Sequence, residues 1–330
     1  MLPIIITGRI DLSVGSIAAV VGAFAAVMMV EKGAGFLVTF LTSLLIGGAI
    51  GVWHGFWVSI RNIPAFIVTL SSQLIFRGLT VLILQGRSIG PFSKNFQALS
   101  SSFLPDIFNS KGLNLTTILI AIIGCLALVF MEIKSRKEQR KYNFDTAPVG
   151  ASIIKTSLLC IILLGISYFF AIYQGFPTVM LIMIALTLIF SFITRRSIIG
   201  RHLYAVGGDE KAAMLSGINV KKVLFFAFVN MGVLAALAGL VFAARLNAGT
   251  PKAGIGFELD AIAACFIGGA SVTGGIGTIS GALVGCFIMG VMNNGMSIMG
   301  VPVDLQQSVK GLVILLAVAF DVQAKSKELL

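Results

Sequence analysis

The side chains of this chain that could act on a polar molecule lie within or beside long apolar stretches. Gln73 and Arg77 are one helical turn apart, which places them on one face of the predicted helix over residues 65–85. An ionisable group at the centre of a membrane costs about 2.5–3.5 kcal/mol on insertion scales, so Arg77 requires a partner or water. We expect Glu258 or Asp260 to pair with it. This set predicts either the wall of a polar cavity or a structural ion pair.

Two other sets of polar residues could likewise either contact a transported solute or have a structural role. Asn293 and Asn294, within another apolar stretch, could hydrogen-bond a solute or join helices. Asp11 and Ser13 precede the first full apolar stretch, where either could cap a helix. The glycines that flank them would instead allow a broken helix that aims polar groups at a translocation path.

A glycine-rich block follows at residues 268–278. It lacks the Gly-Lys-Ser/Thr ending of a phosphate-binding loop and no strand is predicted before it, so we expect no ATP hydrolysis by this chain. Small residues allow close helix packing, and a turn rich in them could also line a pathway, with the candidate lining residues Gly268, Gly269, Ser271, Gly274 and Gly275. The next span continues a predicted packing face with Gly281, Gly285 and Gly290.

Catalytic and metal-binding arrangements are not indicated by the residue spacing. The four cysteines lie in apolar spans without Cys-x-x-Cys spacing, which argues against a zinc site or a disulfide framework. His54 and His202 are far apart in sequence and suggest no nucleophile with its base. We therefore expect no enzyme activity and no cofactor bound by this chain.

The elements that must position these residues are transmembrane helices. The chain is 57% hydrophobic and 11% charged, with a mean hydropathy of +1.01, which one soluble globule could not bury. The predicted fold class is an all-α polytopic membrane protein with broken or re-entrant segments, a single domain over residues 1–330. Alternating patterns of the β-barrel type are absent. A span needs about 20 apolar residues, and ten segments qualify: 13–30, 36–60, 65–85, 115–131, 153–173, 177–194, 223–245, 258–272, 279–298 and 308–322.

The net charge of +11 comes from basic residues in separate short loops, without the aromatic interleaving or single basic face of a nucleic-acid site. Three groups account for much of it: Lys134, Arg136, Lys137, Arg140 and Lys141; Arg195, Arg196, Arg201, Lys211, Lys221 and Lys222; Lys325 and Lys327. Ten alternating crossings place all three on one side, which the positive-inside rule makes the cytoplasm. The carboxyl terminus is then cytoplasmic, and the outward loops are 31–35, 86–114, 174–176, 246–257 and 299–307.

A polar segment between two spans, residues 195–222, contains its own predicted helix. Asp209 is a candidate N-cap for this helix over residues 210–216. The turns on either side are assigned to glycines: Gly207, Gly208 and Gly217. Such a surface on a chain embedded in lipid is expected to dock a soluble partner.

Four blocks in order along the chain resemble the sugar-type ABC importer permeases, the ribose, galactose, arabinose and xylose group. They are Thr-Gly-Arg-Ile-Asp-Leu-Ser-Val-Gly-Ser at 7–16, Phe-Arg-Gly-Leu at 76–79, Gly-Arg-His-Leu-Tyr-Ala-Val-Gly-Gly at 200–208 with Ala212-Ala213 and Ser216-Gly217-Ile218 after it, and the glycine block. The spans around the basic loop 131–150 and the ending at 304–312 resemble the xylose or multiple-monosaccharide branch.

The resemblance implies a bacterial inner-membrane permease that forms a dimer, expected to be a homodimer, and is supplied by a periplasmic sugar-binding protein. A separate ATPase subunit would use ATP and Mg. The helix at 210–216 is similar to the coupling helix of ABC permeases, with candidate ATPase-coupling residues Gly207, Gly208, Asp209, Glu210, Ala212, Ala213, Ser216 and Gly217. Its small alanines would seat in a cleft of the ATPase, and its movement would tilt the spans 177–194 and 223–245.

Members of that branch carry further spans before the first block, so the resemblance also implies a chain truncated at its amino terminus. The loop 86–114 is the candidate docking site for the binding protein, or is merely solvated. A competing class is a proton- or ion-coupled carrier of small polar solutes, which would need coupling acids near the membrane midplane. The candidate acids are all predicted near span ends: Asp11, Glu258, Asp260, Asp304 and Asp321.

Overall fold

The protein is described by a computed structural model over residues 1–108, 112–141 and 148–328, apart from the side chains of residues 140, 141 and 324–328. Within these ranges the regular elements are helices, with two isolated β-bridges and no strand. In chain order they are α1 (Leu2–Ile6), α2 (Val14–Ala26), α3 (Phe36–Gly55), α4 (Ala65–Leu84), α5 (Lys94–Ser101), α6 (Leu115–Lys141), α7 (Val149–Tyr173), α8 (Thr178–Arg196), α9 (Ile198–Gly208), α10 (Glu210–Leu215), α11 (Val220–Leu246), α12 (Phe257–Ile267), α13 (Ile279–Ile298) and α14 (Val303–Glu328). The helices α2 and α3 each continue as a π-helical turn, Val27–Glu31 and Phe56–Ile60.

Nine helical segments of the described ranges are long and apolar enough to cross a membrane. They correspond to nine of the ten predicted spans, and the all-α polytopic class is confirmed. The largest shift of a helix end is in α6, which was predicted to end at residue 131 and continues to Lys141. The basic residues Lys134, Arg136 and Lys137 therefore lie on the last turns of α6 and not in a loop. Charged residues with straight side chains are good helix formers, and Glu132 pairs with Arg136 one turn later, with an Nε to Oε1 distance of 3.5 Å.

The tenth predicted span, 258–272, is wrong as a continuous helix. α12 has 11 residues, which is about 16 Å and half the hydrocarbon thickness. The glycine block ends it, because Gly269 has φ 82°, a conformation that a helix cannot continue through. Before α12, Ala253 and Gly254 are buried, so the middle of the segment 246–257, which is predicted to lie on the outer side of the membrane, turns in toward the core of the chain. A buried loop and a half-length helix together replace the predicted span, which is the form that broken membrane segments take.

The chain forms two compact units. The smaller unit, residues 100–182, contains α6 and α7, which pack on each other. Arg136 joins these two helices, since its Nη2 donates to Ser152 Oγ at 2.6 Å and to Pro148 O at 3.1 Å. In the same unit, Leu104 N donates to Phe176 O at 2.9 Å.

The larger unit, residues 1–99 and 183–330, is built around α11, which packs against α2 and α3. Glycines allow this approach: a Cβ on Gly51 of α3 would lie 2.6 Å from Val229 Cα, and one on Gly232 of α11 would lie 2.8 Å from Gly51 N. On the other side, a Cβ on Gly239 would lie 2.7 Å from Ala18 Cα of α2. Small residues that permit close backbone contact are the usual helix interface inside membranes.

The predicted small-residue face of α13 is confirmed at two of its three positions. Gly281 packs against Gly268 O and Gly285 against Ala264 O, both at or beside α12. Gly290 has no atom within 4 Å of a built Cβ, so its assignment to this face is wrong. The reason is helical geometry: a step of four residues returns to nearly the same face, whereas the five-residue step to Gly290 turns away from it.

The basic residues of the segment 195–222 are all exposed: Arg195, Arg196, Arg201, Lys211, Lys221 and Lys222. Exposure is compatible with the predicted cytoplasmic position of that segment. Four other basic residues were predicted to be cytoplasmic, and their side chains lie outside the described part of the chain: Arg140, Lys141, Lys325 and Lys327.

Candidate functional site

The polar segment 195–222 folds as two short helices, α9 and α10, that meet at Asp209. Asp209 Oδ1 accepts hydrogen bonds from Lys211 N at 2.8 Å and Ala212 N at 3.0 Å, so the predicted N-cap is confirmed. Gly217 ends the helix with φ 82°. The prediction that Gly207 and Gly208 form a turn is wrong, because both are the last residues of α9.

Gly207 is required for a different reason, which is close approach to two other segments. A Cβ there would overlap Ile6 O and lie 2.7 Å from Gly275 N. Gly275 N also donates to Ile6 O at 2.8 Å. The end of α9 therefore rests on the end of α1 and on the glycine block.

The outer face of α10 carries two large apolar side chains. Leu215 is 88% exposed and Met214 is 60% exposed. Both lie outside the candidate spans, unlike the exposed apolar side chains of the long helices. Ala212 is exposed as well, whereas Ala213 is 4% exposed and belongs to the core of the chain. The prediction that Ala213 seats in a partner is therefore wrong, because consecutive residues point about 100° apart and this one faces inward.

Tyr204 of α9 fastens this region to the glycine block. Its hydroxyl donates to Gly277 O at 2.6 Å. Burial raises the pKa of Tyr204 above its usual value. Residue identity alone did not indicate this contact, although Tyr hydroxyls that are partly buried usually find a partner.

Replacing Tyr204 by Phe is expected to lower the stability of the purified protein by about 0.5–1.5 kcal/mol, since one hydrogen bond is lost and Gly277 O is left without that donor. The measurement is thermal unfolding in detergent. Tyr168→Phe is the matched control, because Tyr168 is 54% exposed on α7. Equal shifts in the two variants would show that the Tyr204 hydroxyl contributes nothing.

The segment 7–13 holds a fully buried carboxylate. Asp11 Oδ1 accepts from Ser13 N at 2.8 Å and from Ser13 Oγ at 2.6 Å, and both side chains are 0% exposed. Ser13 occupies the N-cap position of α2, but its side chain makes no cap hydrogen bond. Asp11 therefore holds the turn before α2, while capping by the Ser13 hydroxyl, one of the two predicted options, does not occur. Within the described part of the chain, Asp11 Oδ2 has no hydrogen-bond partner.

Gln73 and Arg77 both contact the segment before and at the start of α12, which confirms that they share a face. Gln73 Nε2 donates to Glu258 Oε1 at 3.1 Å. Arg77 Nη1 donates to Ala253 O at 2.5 Å. The predicted ion pair of Arg77 with Glu258 or Asp260 is wrong, since the guanidinium binds backbone carbonyls of the inward-turned loop. Glu258 is 6% exposed, and none of the described residues makes a hydrogen bond to its Oε2.

Asp260 is paired by a residue that sequence reasoning did not single out. Lys310 Nζ lies 2.9 Å from Asp260 Oδ1, and Asn293 Nδ2 donates to Asp260 Oδ2 at 3.1 Å. This cluster joins α12, α13 and α14, which agrees with the interpretation of Asn293 as a residue that joins helices. Asn294 is exposed on the neighbouring position. Its position in the sequence could have indicated this role, because Lys310 lies inside the apolar helix Val303–Gln323. A charged side chain there carries the same cost of burial as Arg77 and therefore requires a partner.

The glycine block is held by Asp321, whose Oδ2 accepts from Ser271 Oγ at 3.1 Å. Gly268 packs against Gly281, while Gly269, Gly274 and Gly275 all have positive φ values. Among the candidate path residues, Gln73 and Arg77 of α4 contact the segment 253–258, Asn293 contacts Asp260 of α12, and the glycine block packs beside α9. Asp11 and Ser13 lie in the segment that joins α1 to α2.

Two cavities lie beside α10. One, of about 600 Å³, is lined by Thr7, Gly8, Arg9, Phe66, Gly207, Glu210 and Thr273, among others. The second, of about 480 Å³, is lined by Arg9, Asn62, Pro64, Glu210, Met214 and Lys221, among others. Neither cavity reaches Gln73, Arg77 or Asn293.

Comparison with known proteins shows which family this chain resembles. A family model described as the permease component of the branched-chain amino acid transport system matches residues 1–318. The chain is 38% identical over 327 residues to the xylose transport system permease protein of Haemophilus influenzae, covering 99% of this chain and 85% of that relative. It is 39% identical over 327 residues to the xylose permease of Escherichia coli, covering 99% and 81%. No solved structure matches the chain.

The ribose import permease of Escherichia coli is 34% identical over 320 residues, covering 96% of this chain and 78% of that relative. The resemblance to sugar permeases that the four sequence blocks predicted is therefore confirmed over nearly the full length. This chain belongs to the family of transport-system permease components that includes these sugar permeases.

Proposed function

We propose that the chain is the transmembrane permease subunit of an ATP-driven ABC importer that moves a monosaccharide of the xylose, arabinose, glucose or galactose type from the periplasm to the cytoplasm. The names of the xylose and ribose permeases to which it is similar support the substrate class. The observation that carries the coupling role is the exposed apolar tip of α10, Met214 and Leu215. Exposed apolar groups outside the spans are typical of a surface that a partner covers.

The partner proposed for this tip is the ATPase subunit, which would use ATP and Mg while this chain binds neither. α10 is suited to act as a rigid lever, because Asp209 caps it and Tyr204 and Gly207 hold the preceding helix against the chain. Movement of the ATPase would then be passed to α8 and α11, which flank the segment 195–222. The contacting face is Leu215, Met214 and Ala212, and not Ala213.

The rest of the assembly follows the same proposal. A second copy of the permease completes the channel, most simply as a homodimer within the lipid of the inner membrane, and a periplasmic sugar-binding protein delivers the sugar. The segment 86–114, which was predicted as a loop and contains the helix α5, is the proposed docking segment for that protein. The translocation path is proposed to include Asp11, Ser13, Gln73, Arg77, Ser271 and the glycines around it, with Asn293 and Asn294 on α13.

An ion-coupled carrier is the second candidate, and one observation favours it. Glu258 and Asp260 lie on the half-length helix α12, not at the end of a full span, and Glu258 is 6% exposed with one oxygen that no described residue hydrogen-bonds. Buried acids of this kind are used for ion coupling in carriers. The Lys310 contact of Asp260 argues for a structural role of that residue.

The test of function is sugar uptake by proteoliposomes that contain this chain with its ATPase subunit, with the binding protein outside and ATP inside. We expect xylose uptake that requires ATP and persists when an ionophore removes ion gradients. Uptake that needs the gradient and ignores ATP would establish the carrier instead. A catalytically inactive ATPase subunit is the matched control.

The orientation in the membrane is tested by cysteine labelling. In a background without the four native cysteines, Ser135→Cys on α6 is expected to react with an impermeant maleimide only after permeabilisation, because the charge asymmetry places this end of α6 in the cytoplasm. Ser101→Cys is expected to react in intact cells. Both positions are exposed. Labelling of Ser135→Cys but not Ser101→Cys in intact cells would reverse the orientation.

A further inference from the structure

The first residue of α10 turns back toward the chain. Glu210 Oε2 lies 2.9 Å from Nη2 of Arg9, a residue 201 positions earlier. The Glu210 side chain is 52% exposed and the Arg9 side chain 22%. Glu210 was expected to contact the ATPase, but in this structure its carboxylate is already engaged by a residue of the same chain.

Arg9 belongs to a segment that is fastened on both sides. Its Nη1 donates to Thr7 O at 2.9 Å, and Thr7 Oγ1 donates to Ile4 O at 2.7 Å. Two residues after Arg9, the buried Asp11 binds Ser13, which leads directly into α2. Close-packed interiors transmit displacement instead of absorbing it. These contacts connect the backbone at Arg9 to the start of α2 through the buried turn at Asp11.

Two cavities adjoin the ion pair. The cavities of about 600 Å³ and about 480 Å³ are each lined by both Arg9 and Glu210. Both cavities therefore border the ion pair, and the pair bridges the space between α10 and the segment 7–13. Charge-assisted hydrogen bonds are short and directional, which suits them to hold two elements in register across such a gap.

We infer that Arg9 and Glu210 form an internal link that carries the movement of α10 to the segment 7–13 and to α2. Arg9 and Glu210 are positioning residues in this role, and neither touches the transported molecule or the ATPase. The inference rests on the proposed function, because α10 moves only if a partner drives it. If this is so, a variant in which the pair is broken still binds the ATPase subunit but transports less sugar.

The experiment uses three variants in the reconstituted transporter: Arg9→Glu, Glu210→Arg and the double charge exchange. Each single variant is expected to lose at least about tenfold in ATP-driven uptake, equal to about 1.4 kcal/mol or more of coupling. Co-purification of the ATPase subunit and ATP hydrolysis are expected to remain. The double exchange is expected to recover most of the uptake, since the opposite charges again face each other.

The matched control is a second exposed ion pair, Arg87 Nη2 with Glu31 Oε1 at 3.3 Å, which lies away from α10. Arg87→Glu is expected to leave uptake unchanged, since this pair contacts neither α10 nor the segment 7–13 and an exposed pair contributes little to stability. Uptake at the wild-type level in both single variants, or a double exchange no better than the single variants, would overturn the link. Loss of the ATPase from Glu210→Arg would assign Glu210 to docking instead. Absence of ATP-driven uptake in the wild type would refute the proposed function, and the link with it.

Discussion

Leu215→Asp is expected to abolish co-purification of the ATPase subunit and, with it, ATP-driven uptake. Leu215 is 88% exposed at the tip of α10, so the substitution does not disturb the packing of the permease itself. Replacing an apolar side chain at the centre of a docking contact by a charged one is expected to cost about 2 kcal/mol or more of binding free energy, as loss of a hot-spot residue does. This corresponds to a complex that is roughly 30-fold weaker. The measurements are the amount of ATPase retained on the purified permease and the rate of uptake.

The control at the same position is Leu215→Met, which keeps an apolar side chain of similar volume and is expected to keep both properties. Retention of ATPase and uptake by Leu215→Asp would show that α10 is not the docking site. A bulky replacement of Ala213 would not test docking, because Ala213 is 4% exposed and Trp there would strain the core of the permease. Loss of uptake in that variant could come from misfolding as well as from loss of the ATPase contact.

Gly51→Ala is expected to destabilise the folded permease by about 1–3 kcal/mol or more, because the interface of α3 with α11 has no room for a methyl group. The added Cβ would lie 2.6 Å from Val229 Cα and 2.7 Å from Phe228 O, which are backbone atoms that cannot rotate aside. The expected result is a lower midpoint of thermal unfolding in detergent and a smaller yield of folded protein.

Gly48→Ala is the matched control on the same helix. Its Cβ would meet Val233 Cγ2 at 3.5 Å, an ordinary contact, so this variant is expected to be neutral or slightly more stable, since Ala favours helix over Gly. If Gly51→Ala and Gly48→Ala unfolded at the same temperature, close approach of α3 and α11 would not be what stabilises this interface.

Local patterns in the sequence predicted the elements well. Nine spans were found from apolar length alone, because a segment in hydrocarbon must satisfy its own backbone and can do so only as a helix of sufficient length. The Asp209 cap was also predictable, since an N-cap bonds to amides two and three residues away. The Gln73 and Arg77 pair shares a face for the same local reason, the helical repeat.

The errors concern contacts between segments that are distant in sequence. Hydropathy cannot distinguish 258–272 from a full span, because the glycines that end α12 are counted as apolar. The partner of Arg77 is a pair of carbonyls that approach only because the loop after α11 turns inward. Lys310 was passed over although it forms the ion pair that was expected of Arg77.

By itself the sequence determined the lipid environment, nine of the spans, the charge asymmetry and the family of this protein, because each follows from residue composition or from short motifs. The tertiary structure alone decided which face of each helix is covered. It places Ala213 inside and Leu215 outside, and it joins Glu210 to Arg9 across 201 residues. The physical reason is that helix rotation and long-range pairing are set by the packing of all helices together, for which no single segment carries a signal.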